Sequence, residues 1–327
     1  MNKIPKKLKA KLIYNPNAGK KKQMVNLQDS VSLEDIKDLL DQYQIPVDYF
    51  PTKGPNHGRV LAREAKKEGY KMVIAAGGDG TVAEVATGLI GKEIPLAILP
   101  LGSVMNVARM LSIPRDLEEA VRTIKIGRVR KIDVGMITIL DGLKLVKPQY
   151  FLEEAGVGLE AQIHYYLTGK FERGEKGNVL RIIKTLFENY RHPASVYLDD
   201  KEVETRALML TVSNGPYGGA ALKLAPKSKL NDHLLTVSLF RMNKLQMANY
   251  LIELLLQLKP TSPKIKTYQA KKVRVDTAVK RLVHADARVF GGTPVEFEII
   301  SNALDVVCGF PEEGKSSLRE RKTYLNP

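Results

Sequence analysis

Residues 75–81, with the sequence AAGGDGT, constrain the fold most strongly because they join an apolar segment to a helical pattern through three glycines. Residues 71–76 are short and apolar, which is typical of a buried strand in a parallel sheet. Residues 82–90 repeat apolar side chains at helical spacing, and Thr81 with Glu84 has the T-x-x-E spacing of a capping box. The run therefore predicts a strand, a tight loop and a helix in an α/β domain.

The loop between this strand and this helix is suited to phosphate. Gly77, Gly78 and Gly80 free the backbone and remove the Cβ atoms that would keep phosphate oxygens away from amide groups. Asp79 would repel a phosphate unless a cation or a hydroxyl donor lay between them, so it indicates Mg²⁺ or a substrate hydroxyl nearby. A tight turn whose glycines serve packing alone is the alternative. The pattern is neither the Walker loop nor the dinucleotide fingerprint.

At two further junctions, an apolar strand is likewise followed by a polar loop. Residues 94–100 form an apolar strand that ends before Ser103, and residues 8–14 form another strand. In an open α/β sheet, ligands bind outside the carboxyl ends of the strands, so the three loops are expected to converge on one nucleotide. The lysines at 20–22 either assist this site or lie on a solvated loop. The loop after the first strand consists of Asn15, Pro16, Asn17, Ala18 and Gly19.

These loops and three later motifs resemble the bacterial diacylglycerol kinase and lipid kinase family over most of the chain. The glycine loop resembles the family's G-G-D-G-T, which sphingosine kinases and NAD kinases share, while NPNAG and PLGS resemble N-P-x-(S/A)-G and P-L-G-T. Residues 212–215 (VSNG) resemble V-x-N-G. Residues 225–235 (APKSKLNDHLL) resemble A-P-x-A-x-L-D-D-G-L-L, and residues 284–288 (HADAR) occupy the place of D-G-E.

The resemblance implies an N-terminal doubly wound α/β nucleotide-binding domain with a parallel sheet, followed by a β-sandwich domain, with the active site in the cleft between them. We place the first domain at residues 1–132, rejoined by the chain near 301–312. The β-sandwich substrate domain takes residues 133–300, and residues 313–327 form a basic, disordered tail.

The local pattern of the second half agrees with a β-sandwich. After residue 132 the sequence changes to paired strands separated by turn residues. Two helices are expected, at 179–190 and at 245–258. The predicted strands are 132–140 with 143–146, 195–198 with 203–212, and then 234–240, 273–275 and 295–299.

By resemblance, the chain transfers the γ-phosphoryl group of ATP to a lipid hydroxyl such as that of diacylglycerol, with Mg²⁺ as cofactor. Mg²⁺ is implied at Asp232, assisted by backbone carbonyls near Lys229 and Leu234. The alternative for Asp232 is a residue that caps a turn. The ATP contacts implied by the resemblance are Asn15, Pro16, Asn17, Ala18, Gly19, Thr52, Gly77, Gly78, Asp79, Gly80, Thr81 and Ser103.

The most consequential departure from the family pattern is Arg288. It stands where the family has the glutamate regarded as the proton acceptor, and a guanidinium stays protonated in proteins. Arg288 would instead neutralise the transferring phosphoryl group and leave Asp286 or Asp79 as the base. We therefore predict Asp79, Asp286 and Arg288 as the catalytic residues.

Three other departures are Ala83, Met105 and Asn106, where the family has Asn, Asn and Asp. They leave two alternatives to a lipid kinase. One is a family member that binds lipid or nucleotide with weakened or lost catalysis. The other is a kinase of a soluble hydroxyl compound such as NAD or a sugar. Residues 291–297 fit the family's next strand, which argues against a misplaced alignment.

The formal net charge of +15 favours an acidic partner. Eight lysines precede the first acidic residue, and further basic clusters lie at 259–274 and 315–322. Such clusters are attracted to anionic lipid, so we expect a membrane lipid substrate and peripheral contact with the inner face of the membrane. A basic surface without a partner is the alternative. Nucleic acid is disfavoured because the chain has no tryptophan and no recognisable binding motif.

The sequence also predicts a cytoplasmic location. A single cysteine excludes an intramolecular disulfide, the lysine-rich N-terminus lacks the features of a signal peptide, and no apolar run reaches the roughly 18–20 residues of a membrane span. The five histidines are dispersed without metal-ligand spacing, so we expect structural or surface roles for them. Tyr165 and Tyr166 are expected to pack in the second domain. The oligomeric state is left open.

Overall fold

The structure, a computed structural model, divides the chain into two compact units. One comprises Met1–Ile132 with Asn302–Pro327, and the other comprises Asp133–Ser301. The predicted tail at 313–327 lies outside the described residues. The described residues are 9–18, 31–141, 144–145, 147–168, 184–186, 190–219, 221–256, 258, 260–286 and 288–310.

The first unit is built on a parallel sheet with the order β4-β3-β1-β2. The last part of β17 (Val295–Cys308) adds a parallel strand beside β4, with Val306 opposite Leu96. Every residue of β3 and β4 is buried, as the apolar runs predict. The four strands are β1 (Ala10–Tyr14), β2 (Val47–Pro51), β3 (Met72–Gly77) and β4 (Leu96–Pro100).

The helices of the first unit connect these strands and pack in two pairs, α2 with α3 and α1 with α5. The chain runs from β1 outward to β2 and then returns past β1 to β3 and β4, so right-handed crossovers place α1 and the α2–α3 pair on opposite faces of the sheet. This confirms the predicted doubly wound domain. The helices are α1 (Leu33–Gln42), α2 (His57–Glu64), α3 (Asp79–Leu89), α4 (Asn106–Met110) and α5 (Leu117–Ile126).

The predicted capping box at Thr81 and Glu84 is wrong. Gly78 is the N-cap of α3, and the Thr81 amide donates to the Gly78 carbonyl at 2.9 Å inside the first helical turn. The Glu84 carboxylate instead accepts from the amides of Asn56 at 2.8 Å and Gly58 at 3.2 Å. Glu84 therefore caps the neighbouring helix α2, because its own helix begins earlier than the sequence pattern indicates.

The second unit is a β-sandwich, as predicted. One sheet has the order β10-β9-β14-β17 and is extended by β5 with β6 and β7, and the other has the order β13-β12-β11-β8-β15-β16. Buried residues of both sheets form one core. The strands are β5 (Arg128–Asp141), β6 (Lys144–Leu145), β7 (Gln149–Phe151), β8 (Glu154–Gly158), β9 (His192–Leu198), β10 (Lys201–Ala207), β11 (Met209–Ser213), β12 (Leu235–Phe240), β13 (Ile265–Ala270), β14 (Lys272–Thr277), β15 (Leu282–Ala285), β16 (Arg288–Gly292) and the first part of β17.

The predicted pairs of strands are confirmed, with one correction. β5 pairs with β6, and β9 pairs with β10 around a two-residue turn in which Lys201 lies opposite Leu198. The predicted strand at 203–212 is two strands, because the chain leaves β10 at Ala207 and enters the other sheet as β11. The apolar residues 207–210, where the change occurs, contain no signal for such a change of sheet.

The second unit contains one described helix that the sequence pattern does not predict. The expected helix at 245–258 is α7 (Lys244–Leu255). Of the expected helix at 179–190, residues 184–186 are described as helix, and Tyr190 is described outside any helix. Helix α6 (Leu159–Thr168) has no counterpart in the prediction. Tyr165 on α6 is exposed rather than packed, and the side chain of Tyr166 lies outside the described part of the chain. In the described residues, no helix is both long and apolar enough to cross a membrane.

Lys11 on β1 does not belong to a basic surface, although it counts among the eight N-terminal lysines. Its side chain is 1% exposed, its ammonium group pairs with the Glu68 carboxylate, and it lies 4.4 Å from the centre of the Phe50 ring. Lys9 is exposed and pairs with Asp48 at 2.8 Å. Both lysines are therefore already neutralised within the first unit.

We expect Glu68→Gln to lower the free energy of unfolding by about 2 kcal/mol, because it leaves a buried ammonium group without its counter-charge. Lys11→Met should change it by less than about 1 kcal/mol, since the half-exposed Glu68 carboxylate then returns to water. Lys9→Met, at an exposed ion pair, is the matched control. Urea unfolding followed by circular dichroism measures all three. Equal effects of Glu68→Gln and Lys9→Met would contradict the buried-pair interpretation.

Candidate functional site

The carboxyl ends of the parallel strands in the first unit lie side by side. Tyr14, at the end of β1, is opposite Pro51 of β2 and Ala76 of β3, and Gly77 of β3 is opposite Pro100 of β4. The loops that follow these strands therefore start from one edge of the sheet, where ligands of open α/β sheets bind.

Backbone hydrogen bonds fix the start of the loops after β1, β2 and β4. The amide of Asn15 donates to the Ala76 carbonyl at 3.1 Å, that of Thr52 to the Tyr14 carbonyl at 2.8 Å, and that of Leu101 to the Gly77 carbonyl at 3.0 Å. The structure thus brings together four loops that contain the predicted nucleotide contacts. Gly19, the last residue of the first loop, lies outside the described residues.

The first of these loops is a compact turn. The Asn15 side-chain carbonyl accepts from the Asn17 amide at 2.9 Å, and the Asn15 backbone carbonyl accepts from the Ala18 amide at 2.9 Å. Asn and Pro at these positions are typical of such turns, because the Asn side chain bonds to its own backbone two residues further on. The turn holds Asn15, Pro16, Asn17 and Ala18 beside the glycine loop.

The glycine loop and the loop after β4 approach each other closely. A Cβ atom on Gly102 would lie 2.7 Å from the Cα of Gly78 and 2.7 Å from the sulfur of Met105. A Cβ on Gly77 would lie 2.6 Å from the hydroxyl oxygen of Thr81. Glycine is therefore required at both positions by contacts within the protein, so packing explains part of the motif.

Gly80 is different, because packing does not explain it. A Cβ atom there would meet no heavy atom of the described chain within 4 Å. Gly80 is the second residue of α3, and the positive end of a helix dipole with its first amides favours an anionic group. Open space at this glycine, beside the start of a helix, fits a phosphate group.

Asp79 connects the two loops. Its Oδ2 accepts from the Met105 amide at 2.8 Å, and Met105 has a left-handed backbone with φ of 56° before α4. Burial raises the pKa of Asp79, an effect that the Met105 amide opposes. Its Oδ1 is buried without a hydrogen-bond partner in the described chain. A carboxylate oxygen of this kind suits a hydroxyl donor or a hard cation.

In the second unit, two of the family-like motifs hold one turn, Leu152–Glu153. The buried Asn214 side-chain amide donates to the carbonyls of Asp133 and Leu152, both at 3.0 Å. Asp286 accepts from the amides of Leu152 at 2.8 Å and Glu153 at 2.9 Å. Asn214 and Asp286 are thus joined through this turn, although they are far apart in the sequence.

The described residues of the HADAR motif lie at the end of β15, in the turn that follows it and at the start of β16. Asp286 has φ of 43°, a left-handed conformation that Asp tolerates better than most residues, and Arg288 is the exposed first residue of β16 opposite Ala285. The two predicted catalytic residues of this unit therefore lie in one hairpin turn. The carboxylate of Asp286 is held by backbone amides, while the guanidinium of Arg288 is accessible.

Asp232 caps a turn, which is the alternative weighed above for this residue. Its carboxylate accepts from the amides of Lys229 at 3.3 Å and Leu234 at 3.2 Å. Burial raises the pKa of Asp232, and the negative charge of the nearby Asp133 adds to this rise. Asp133 in turn accepts from the His233 amide at 2.7 Å. Two neighbouring carboxylates offer oxygen ligands of the kind that Mg²⁺ prefers, so these residues fit the implied ion.

The structure brings two of the sequence-dispersed histidines together in a buried cluster with acidic residues, which the sequence pattern does not indicate. His164 and His284 have ring centres 4.6 Å apart, and the His284 Nε2 lies 3.4 Å from the Glu160 Oε2. Burial lowers the pKa of His164 to about 4. Burial, followed by the charge of Glu160, raises the pKa of Glu154 well above its usual value. The one available signal was the acidic pair Glu153 and Glu154 and the later Glu160 within an otherwise apolar run.

Comparison with known proteins identifies a domain in each half of the chain. Residues 9–137 match the diacylglycerol kinase catalytic domain, and residues 157–308 match the YegS C-terminal NAD kinase beta sandwich-like domain. A diacylglycerol kinase of Staphylococcus aureus (strain bovine RF122 / ET3-1) is 26% identical over 309 residues, which cover 91% of each chain. That of Bacillus subtilis (strain 168) is 26% identical over 318 residues, 95% of this chain and 99% of the relative. The chain thus carries a domain of each of these two families, and it is similar to diacylglycerol kinases over most of its length.

Solved structures confirm the two-domain fold. A diacylglycerol kinase from Bacillus anthracis str. Sterne has a TM-score of 0.70 at 23% identity, covering 94% of this chain and 98% of that chain. A yeast NADH kinase complexed with NADH has a TM-score of 0.51 at 10% identity, covering 97% of this chain and 87% of that chain.

We expect Gly102→Ala to lower the free energy of unfolding by about 1–3 kcal/mol, because the new methyl group meets backbone atoms of Gly78. Gly80→Ala is the matched control. Its methyl group enters open space, so stability should be unchanged or up to about 1 kcal/mol higher from the gain in helix propensity. Thermal unfolding of both variants checks the prediction. A loss of stability in Gly80→Ala equal to that in Gly102→Ala would contradict it.

Proposed function

We propose that this protein is an ATP-dependent lipid kinase that transfers the γ-phosphoryl group of ATP to a lipid hydroxyl such as that of diacylglycerol. The observation that carries the proposal is the convergence of four loops at the carboxyl ends of β1 to β4, with Gly80 facing open space at a helix start. The diacylglycerol kinases of similar length among its relatives support the lipid substrate.

The nucleotide would be held mainly by backbone groups. The turn at Asn15 to Ala18, the glycine loop from Gly77 to Thr81, Thr52 and Ser103 start from the same sheet edge, and their amides suit phosphate oxygens. Phosphoryl transfer depends chiefly on positioning and charge neutralisation, so a rigid set of loops is what the reaction needs. The contact of Gly78 with Gly102 supplies this rigidity between two of the loops.

In the proposed reaction, the lipid hydroxyl oxygen forms a bond to the γ-phosphorus while the bond from that phosphorus to the bridging oxygen of ADP breaks. The hydroxyl proton passes to a carboxylate. Asp79 is our choice for this base, because its Oδ1 is buried without a partner in the described residues, whereas both oxygens of Asp286 accept backbone amides. Asp286 then keeps the turn that carries Arg288 in place.

Mg²⁺ would neutralise phosphate charge in this reaction. Asp232 and the neighbouring carboxylate of Asp133, both in the second unit, would hold it with their oxygen atoms. Asp232 also keeps the loop before β12 closed through the amides of Lys229 and Leu234, so it serves the fold whether or not the ion is bound.

A transfer assay tests the proposal. Purified protein with γ-labelled ATP and Mg²⁺ should produce a labelled, solvent-extractable lipid from vesicles that contain diacylglycerol. Asp79→Asn should lower the rate roughly 10²-fold or more, because the amide keeps an oxygen for Met105 but cannot accept the proton. ATP binding by this variant, measured by calorimetry, should persist.

Control reactions separate the alternatives. Label that stays in the aqueous phase as a phosphorylated soluble compound would favour a soluble hydroxyl substrate. ATP binding without any transfer would favour a family member that has lost catalysis. We also propose contact with an anionic membrane surface, supported by the net charge of +15. Equal rates on anionic and neutral vesicles would contradict that contact.

Arg288 distinguishes a rearranged active site from a degenerate one. If its guanidinium neutralises the transferring phosphoryl group, Arg288→Glu should lower the transfer rate at least roughly tenfold. Arg288→Lys keeps the positive charge and should lower the rate less. Because the residue is exposed, neither change should alter stability by more than about 0.5 kcal/mol. A higher rate in Arg288→Glu would indicate that the arginine has weakened an ancestral catalytic site.

A further inference from the structure

The cluster of Glu160, His164 and His284 lies where helix α6 packs on strand β15. Glu160 and His164 are four residues apart on α6, so they share one face of that helix. His284 comes from β15 and is fully buried. One ligating atom of each of the three residues lies within 4.8 Å of the other two.

The arrangement leaves polar atoms without partners. Neither ring nitrogen of His284 has a hydrogen-bond partner in the described chain, nor does the Glu160 Oε2, although it lies 3.4 Å from His284 Nε2. A buried imidazole without a hydrogen-bond partner is costly, and native structures rarely contain one. The ligating atoms of His284 and Glu160 face each other across a short gap, with the His164 ring beside them. Such an arrangement is typical of side chains that share a bound ion.

Neighbouring residues make room for this cluster. A Cβ atom on Gly156 of β8 would lie 2.6 Å from His284 Nε2 and 3.1 Å from Glu160 Oε2, so only glycine leaves these two atoms their space. On the other side, the second carboxylate oxygen of Glu160 and the Glu154 carboxylate both face Gly219. Glu154 therefore stands beside Glu160 on the side away from His284, where it can orient that carboxylate.

We propose that Glu160, His164 and His284 bind a transition-metal ion and that Zn²⁺ is the ion that fits them best. Two imidazole nitrogens and one carboxylate oxygen are ligands that Zn²⁺ accepts, and a water molecule completes its four-coordinate shell. Mg²⁺ prefers oxygen ligands only, so it is a poor fit. This ion is separate from the Mg²⁺ of the proposed reaction, and its binding does not depend on kinase activity.

The position of the site suggests its effect. His284 is two residues before Asp286, and Asp286 holds the Leu152–Glu153 turn. An ion bound by residues of both α6 and β15 would cross-link these elements and fix the strand that leads into the HADAR turn. Glu160, His164 and His284 would then act as positioning residues for Asp286 and Arg288, not as catalytic residues.

Metal binding by the full chain tests the proposal. The protein is prepared without a histidine tag, stripped with a chelator and dialysed against Zn²⁺, and the bound metal is measured by mass spectrometry. We expect about one equivalent of Zn²⁺, retained in excess Mg²⁺. His164→Gln and Glu160→Gln should each weaken binding at least roughly tenfold, and His57→Gln, at a histidine outside the cluster, should not. Replacement by Co²⁺ should give the strong visible absorption of a four- or five-coordinate site.

Two results would overturn the proposal. One is less than about a tenth of an equivalent of bound Zn²⁺ in the folded wild-type protein. The other is equal Zn²⁺ affinity in wild type, His164→Gln and Glu160→Gln, which would place the ion elsewhere. The fully buried His284 is a poor first choice for substitution, because its replacement can unfold the domain. His164 is half-buried, and circular dichroism of His164→Gln shows whether the fold is kept.

Discussion

The parallel register of β1 to β4 is the constraint on which the candidate nucleotide site depends. Side-by-side pairing places four strand ends at one edge, and the loops after β1, β2 and β4 begin with a backbone hydrogen bond to a neighbouring strand. The loops need few side chains to define their positions. The sequence must still place glycine where two loops approach closely. Gly78 and Gly102 are in contact at such a point.

The second unit uses buried polar groups for a comparable purpose. Asn214 and Asp286 hold the same turn from different strands, and each satisfies backbone groups that would otherwise be buried without partners. Motifs that look chemical in the sequence are therefore partly structural. Gly77 is also required by packing, because a Cβ atom at this position would clash with the side chain of Thr81.

Much of the architecture could be predicted from the sequence, because apolar strands, glycine loops and turn residues are local signals. The doubly wound domain and the strand pairs are of this kind. Glu84 was misread because its partner, the start of α2, is distant in the sequence. The His164–His284 pair could not be seen either, since 120 residues separate them and only the packing of α6 on β15 joins them. The roles of Asp79, Asp286 and Arg288 stay predictions.

The strand that completes the first sheet comes from the far end of the chain. Residues 302–308 pair beside β4, so during synthesis β4 remains an open sheet edge until the whole second unit has been translated. Exposed edges of apolar strands invite pairing with other chains. A fragment that ends after residue 132 would carry this edge permanently. The order of translation thus leaves the nascent first unit with an unpaired apolar strand until residues 302–308 have been made.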